Sequence, residues 1–360
     1  MKDKLRERVF SIAGYRYEWA DVVTWARAQG MWEEFQEAVR LGLACARRLE
    51  EDEAAEIEGD RVEAAANEFR YARGLLSAEE MDAWLDRVGL SAEEWMASIE
   101  RGLASEEWSD EAADILEAFP VSDEEVEAAL WCEGLCSGQL GRFARELARS
   151  ASIDARLREE DAALDAAIAP HVQEARALVA KAVADPVLGL DALMSAERLA
   201  HLAHLEAARH RFRAAVLTPQ AIRDQIAIRY LDWIRFHGEV LSVSDEHVAR
   251  EAAAAVREDG LPLAQVAALA RESVEEIEFC LDDVEPALRE PLLSAGKGDL
   301  IGPVAVGEEF RLVLVKDKVM PSDADPRIRR RAEEELLTRL LAREVDARVE
   351  WHVELSDTAP

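Results

Sequence analysis

The segment LLSAGKGDLIGPVAVGEEFRLVLVKDK, residues 292–318, decides how the C-terminal part of the chain folds. Within it, GPVAV (302–306) and EFRLVLVKD (309–317) are short runs with β-branched residues, the texture of strands. Glycines at 296, 298, 302 and 307 cluster where turns are needed. Working outward, HGEVLSV (237–243) and EIEFCL (276–281) have the same texture. Helical pieces lie between them, around 245–258, 262–271 and 285–294. The order strand, helix, helix, strand, helix, strand, strand makes an α+β domain of about 85 residues. A helix of about 325–346 and a terminal strand, VEWHVEL (349–355), follow it.

Upstream of residue 230 the chain reads as helix, with abundant alanine and apolar positions recurring at three and four. Capping boxes mark helix starts at Ser77 with Glu80, Ser91 with Glu94, and Ser122 with Glu125. Ser77, Ser91 and Ser105 are spaced by 14, as short helices broken at Gly89 and Gly102 would be. The acidic stretch Glu50 to Asp60 reads as a solvated linker after an N-terminal helical hairpin. Pro120, Pro170 and Pro186 punctuate later helices. A long helix from about Asp191 to Val216 precedes Thr218-Pro219, an N-cap followed by proline at the first helical position. The fold class is therefore mainly α with a C-terminal α+β domain.

Composition excludes several functions. The 360 residues carry 75 acidic against 43 basic side chains, a formal net charge of −32. A nucleic-acid binder needs a cationic footprint and an anionic membrane surface repels acid, so neither is expected as a partner. With 49% hydrophobic and 33% charged residues the chain is globular, and it has no membrane-spanning run and no secretory signal. Four cysteines (Cys45, Cys132, Cys136, Cys280) are too few for a disulfide framework and point to a reducing cytoplasm. No phosphate loop, hydrolase triad or dinucleotide fingerprint is present, and no cofactor is expected.

The turn residues Gly298, Asp299, Leu300, Gly302, Pro303 and Val304, set in that element order, resemble the parvulin-type (PpiC-like) peptidyl-prolyl isomerase domain. The likeness covers about residues 235–318, a quarter of the chain. GLSAEEWMASIERGL (89–103) and VSDEEVEAAL (121–130) resemble the helical segments flanking that domain in SurA-like chaperones. FRYARGLLSAEEMDAWLDRVGLS, the LDW at 231–233 and the ending RVEWH are similar to PpiC-related proteins of peptide-maturation gene clusters. The resemblance implies four parts: an N-terminal helical hairpin (1–60), a helical chaperone-like body (61–230), a parvulin-like domain (231–320), and a C-terminal helix and strand packing back on the body (321–360).

The departures bear on activity. Parvulins carry a histidine in the first strand and another, after an aromatic, in the last. Aligning at Ser244-Asp245-Glu246 puts Glu239, or alternatively His237, at the first position, and Arg311 follows Phe310 at the second. Cys280 lies near the family's catalytic Cys or Asp. The resemblance thus implies a degenerate isomerase domain kept for peptide binding, through a cleft near Leu300, Val304, Phe310, Leu312 and Leu314 or through the sheet edge. The partner would be a peptide or unfolded-protein client, such as a precursor peptide and its modifying enzyme in ribosomal-peptide maturation; a homodimer is also compatible. An acidic rim would favour clients carrying Lys or Arg, with binding weakened by salt. The rivals are an active isomerase using Glu239, Cys280 and Arg311, and a structural or dimerising scaffold.

Three further sets carry a bland reading beside a sharp one. Glu197, His201 and His204 share a helix face and have the types zinc uses, but no fourth ligand is evident, so surface residues are expected and no metal. Cys132 and Cys136, one turn apart, read as small hydrophobes. Trp19, Trp25, Trp32, Trp84, Trp95, Trp108 and Trp131 read first as helix-packing core and second as walls of a peptide groove.

Overall fold

All three capping boxes close. The hydroxyls of Ser77, Ser91 and Ser122 accept from the amides of Glu80, Glu94 and Glu125, whose carboxylates accept the Ser amides in return. Those bonds hold all three carboxyls below their usual range, and Glu125, which also meets Arg47, down to about 2. The computed structural model describes residues 4–52, 55–161, 163–184, 188–307 and 309–353. It divides into two compact units, residues 1–213 with 340–360, and residues 214–339.

The first unit opens with a β-hairpin, β1 (Arg8–Ile12) and β2 (Tyr15–Glu18), ahead of two consecutive helices at 19–28 and 31–51 in the stretch where a helical hairpin was expected. Ala13 and Gly14 both take positive φ, 51° and 82°, and turn the chain back. The hairpin gains a third strand from β7 (Glu350–Trp351), with Phe10 opposite Trp351. The remainder of VEWHVEL, residues 354–355, lies outside the described residues. Helices α1 (Trp19–Ala28), α2 (Met31–Glu51), α3 (Gly59–Ala72), α4 (Ala78–Val88), α5 (Ala92–Glu107), α6 (Ala112–Ala118), α7 (Asp123–Cys136), α8 (Gln139–Glu160), α9 (Leu164–Val183) and α10 (Ala196–Val216) follow.

Trp25, Trp32, Phe143, Leu147 and Leu202 are all nearly inaccessible and form one core with Val9 and Phe10 of β1. Each such side chain stabilises the unit by about 1.5–3 kcal/mol. The 14-residue spacing yields two capped helices, not three, because α5 runs through Gly102 and Ser105. A Cβ at Gly42 of α2 would lie 3.5 Å from Arg101 Cβ and 3.5 Å from Ser105 Oγ, so close helix packing overrides the local start signal. Pro170 sits inside α9, held there by the burial of Leu164, Ile168 and Ala175 along one face.

The second unit adds α11 (Pro219–Ile228), β3 (Arg235–Val243), α12 (Glu246–Arg257), α13 (Leu263–Ala270), β4 (Glu275–Cys280), α14 (Pro286–Ser294), β5 (Leu300–Val306), β6 (Glu309–Val319) and the start of α15 (Pro326–Arg348). The element order of the α+β part is the one read from the sequence. Its sheet is antiparallel, ordered β4-β3-β6-β5. α11 belongs to this unit because Ile222 and Ile226 pack with Trp233, Cys280, Ile328 and Ala332, which moves the boundary from 230 to 213.

Candidate functional site

Residues directly opposite one another in an antiparallel sheet share a face, and neighbours along a strand alternate. One face of the sheet carries Phe236, Val240, Ile301, Val313 and Val315 and packs on Leu288 and Leu292 of α14. The other carries Leu241, Val243 and Leu312 and packs on α12 and α13 through Ala249, Ala252 and Val266. β6 has one residue more than β3 beside the His237–Gly238 step, where Gly238 pairs with Val315 and His237 with Asp317, and the extra residue is Lys316.

The five residues expected to line a peptide cleft divide between the faces. Leu312 is fully buried beneath α12 and α13, and Leu300, Phe310 and Leu314 pack half-buried into the same cluster. Val304 packs with the α14 cluster instead. Leu300 and Val304 do meet at a cavity of about 790 Å³ along the outer edge of β5, between the ends of α12 and α14. The Gly302-Pro303 turn, a cis peptide, forms part of its wall, with Pro291, Ala295 and Val256. Arg257 braces it by donating to the carbonyls of Leu300 at 2.9 Å and Gly302 at 2.6 Å.

The three polar positions do not converge. Glu239 stands opposite Leu314 and Glu276, on the α12/α13 face, and its carboxylate meets Lys316 at 2.9 Å. Arg311 stands opposite Ser242, on the α14 face, with its Nε buried and without a hydrogen-bond partner among the described residues. Cys280 shares a face with Glu239 but pairs with Arg235, four residues further along β3. Burial pushes its thiol up, away from the reactive thiolate. His237, the alternative first-strand position, lies 3.7 Å from Glu278, a carboxylate that also pairs Arg235 and Arg327, both at 2.8 Å.

Cys280, Asp282 and Asp283 bring three donor atoms within 4.8 Å of one another, a spacing that could hold a metal ion. Arg331 occupies that carboxylate pair, at 2.8 Å from Asp282 and 2.9 Å from Asp283, and supplies the positive charge itself. The zinc-like trio of the long helix is drawn apart. His201 bonds the Tyr17 hydroxyl at 2.8 Å and stacks on Tyr15, His204 bonds Asp154 at 2.8 Å, and Glu197 is exposed. Cys132 and Cys136 pack with Phe69, Trp84 and Trp95.

Among the tryptophans, Trp25, Trp32 and Trp95 are buried packing, whereas Trp19, Trp84 and Trp131 border a second cavity, of about 600 Å³, within the helical unit. Four basic residues on its rim (Lys4, Arg8, Arg73 and Arg87) escaped sequence reading. Scattered through an acidic chain, they form no run or spacing that marks them as a group.

Among solved structures, the chain is similar to the peptidylprolyl isomerase PrsA from Bacillus anthracis, at 15% identity and a TM-score of 0.32, over 56% of this chain and 95% of that one. It is also similar to foldase protein PrsA from Streptococcus pneumoniae str. Canada MDR_19A, at 15% identity and a TM-score of 0.30, over 61% and 86% of the two chains. No protein-family model and no curated protein sequence matches it.

Proposed function

We propose that the protein is a peptide-binding accessory protein of chaperone type, whose α+β domain keeps a parvulin-like frame without isomerase chemistry. The observation that carries this reading is the separation of the polar positions: Glu239 is held by Lys316 on one face of the sheet, and Arg311 lies on the other. Twisting an amide needs polar groups aimed at one point, and these are not. The cavity along β5 supplies the binding surface, with apolar walls from Val304 and Pro303 and guanidinium donors from Arg257. In this reading the client is an extended peptide, a precursor held for its modifying enzyme in ribosomal-peptide maturation, and the four free thiols suit a reducing cytoplasm.

The test uses a labelled proline-containing peptide taken from a reading frame beside the gene. Binding is expected by fluorescence anisotropy, with loss of about tenfold in affinity in Val304→Lys. Exchange NMR on the same peptide is expected to show no acceleration of cis–trans interconversion. Acceleration matching an authentic parvulin would establish the isomerase alternative instead. Absence of binding by any such peptide would leave the scaffold reading.

A further inference from the structure

Cys132 and Cys136 lie one turn apart on the same face of α7, whereas Cys45 and Cys280 sit in other clusters. Both are nearly buried, 7% and 8% exposed, against Phe69, Trp84 and Trp95. The Cys132 thiol hydrogen has two acceptors in reach, the Glu94 carbonyl at 3.4 Å and the Cys136 sulfur. That second contact makes the thiols chemically unequal. Donation from Cys132, helped by the Ser98 hydroxyl and the Arg73 guanidinium, holds Cys136 below the ordinary range of a thiol despite its burial, and Cys132 is raised in return. Cys45 and Cys280, with no second thiol beside them, are pushed up by burial.

The backbone at this pair is poised to give. Cys136 is the last residue of α7, Ser137 caps it, and Gly138 takes a φ of 75° as the chain leaves the helix. The last turn is held by the Ser137 amide on the Glu133 carbonyl at 2.9 Å and by the Gly138 amide on the Leu135 carbonyl at 3.3 Å. Arg73 donates to the Cys136 carbonyl at 3.0 Å. Gly134, midway between the cysteines, is a poor helix former. Residues four apart in a regular helix have Cα atoms about 6 Å apart, within the span of about 4.4–6.8 Å that a disulfide bridges. Their Cβ atoms, about 5–6 Å apart, must close to about 3.5–4.5 Å. Joining the sulfurs therefore requires the last turn to open, and a bond made at that cost is readily reduced.

We propose that Cys132 and Cys136 form a reversible redox switch, oxidised by a small hydroperoxide to a disulfide that opens the last turn of α7. The Cys136 sulfur attacks one oxygen of hydrogen peroxide and the O–O bond breaks. Cys136 becomes a sulfenic acid, and its thiol proton leaves with the other oxygen as water. The Cys132 sulfur then attacks the Cys136 sulfur, and its proton departs with the sulfenic hydroxyl as a second water. The two thiols are oxidised by two electrons and the peroxide is reduced by two. Burial selects the oxidant, because peroxide is small enough to reach a sulfur that glutathione disulfide is too bulky to meet. In a reducing compartment the bond is transient, as a sensor requires. The switch belongs to the helical unit and does not depend on the function proposed for the α+β domain.

The test is peptide mass spectrometry of the full chain after brief treatment with stoichiometric hydrogen peroxide and then alkylation. The peptide holding both cysteines is expected to lose two hydrogens, resist alkylation and recover with dithiothreitol, while Cys45 and Cys280 are alkylated as before. Glutathione disulfide at the same concentration should oxidise the pair at least about tenfold more slowly. Hydrogen exchange across residues 136–142 should be at least about tenfold faster in the oxidised chain. In Cys132→Ser the sulfenic acid should persist and be captured by dimedone at Cys136, and Cys136→Ser should give no adduct at Cys132. Full alkylation of the pair after peroxide, sulfinic acid in place of the disulfide, or oxidation of Cys45 or Cys280 at the same rate would overturn the proposal. So would equal oxidation by glutathione disulfide or unchanged exchange in the oxidised chain. These readings come from the unmodified chain and stand whether or not either variant folds.

Discussion

Gly302 is the point at which the turn that decides the α+β fold is most demanding. Its φ is +99°, and a Cβ built there would lie 2.3 Å from the Arg311 carbonyl oxygen and 3.1 Å from the Val304 nitrogen. Two costs follow for Gly302→Ala. Placing an L-residue in the left-handed region costs about 1–2 kcal/mol. Forcing a methyl against a neighbouring strand's carbonyl adds about 1–3 kcal/mol, because that oxygen belongs to β6 and cannot swing aside as a side chain would. The sum, about 2–5 kcal/mol, is a large part of a domain's usual stability of about 5–15 kcal/mol. Gly298 isolates the first cost, with φ at +92° and nothing within 4 Å of its Cβ, so Gly298→Ala should lose only about 1–2 kcal/mol. Gly296, with its nearest atom at 3.7 Å and no positive φ, should change by about 0.5 kcal/mol at most. Hydrogen exchange of peptides spanning 295–319 reads the three variants in one experiment, since a loss of about 3 kcal/mol lowers protection by about two orders of magnitude. If Gly302→Ala lost no more protection than Gly298→Ala, the close approach of β5 to β6 at this turn would be refuted.

Two further predictions concern the helical unit. Asp21 is fully buried at the start of α1, accepts from the Glu18 amide at 2.8 Å and binds the Arg198 guanidinium, which Glu18 also meets at 3.3 Å. Asp21→Asn should cost about 2–3 kcal/mol in urea unfolding, below the range for a wholly buried pair because Glu18 still opposes Arg198; an unchanged midpoint would show that this pair does not hold α10 to α1. Burial lowers the pKa of His201 beneath its ordinary 6.5. The unfolded chain therefore binds its proton more readily, so the stability it contributes is intact above pH 6.5 and declines as the pH drops toward the lower folded value. Melting temperatures at pH 7.5 and 5.5 should differ less in His201→Gln than in the parent, and an equal difference would assign the acid sensitivity elsewhere.

The features legible in the sequence are those set within a few residues. Ser91 and Glu94 find each other across one helical turn wherever the helix lies, and the glycines around Pro303 mark a turn whatever packs on it. The order of strands and helices from 235 to 319 follows from such local signals. Which face a residue joins does not. The extra residue Lys316 in β6 is fixed by pairing with a strand about 80 residues away, and the pairing puts Glu239 and Arg311 on opposite sides.

The chain by itself determined its helix starts, its turn at Gly302-Pro303 and its acidic balance, because hydrogen bonds between near neighbours and side-chain ionisation need no partner from afar. Tertiary structure alone decided that β7 completes a sheet with β1, that Ser105 stays inside a helix, and that Lys4, Arg8, Arg73 and Arg87 surround one tryptophan-walled cavity. The reason is physical. Those outcomes depend on burial and on contacts between residues tens to hundreds of positions apart, where the energy lies in the fit between surfaces and no short stretch of sequence contains both of them.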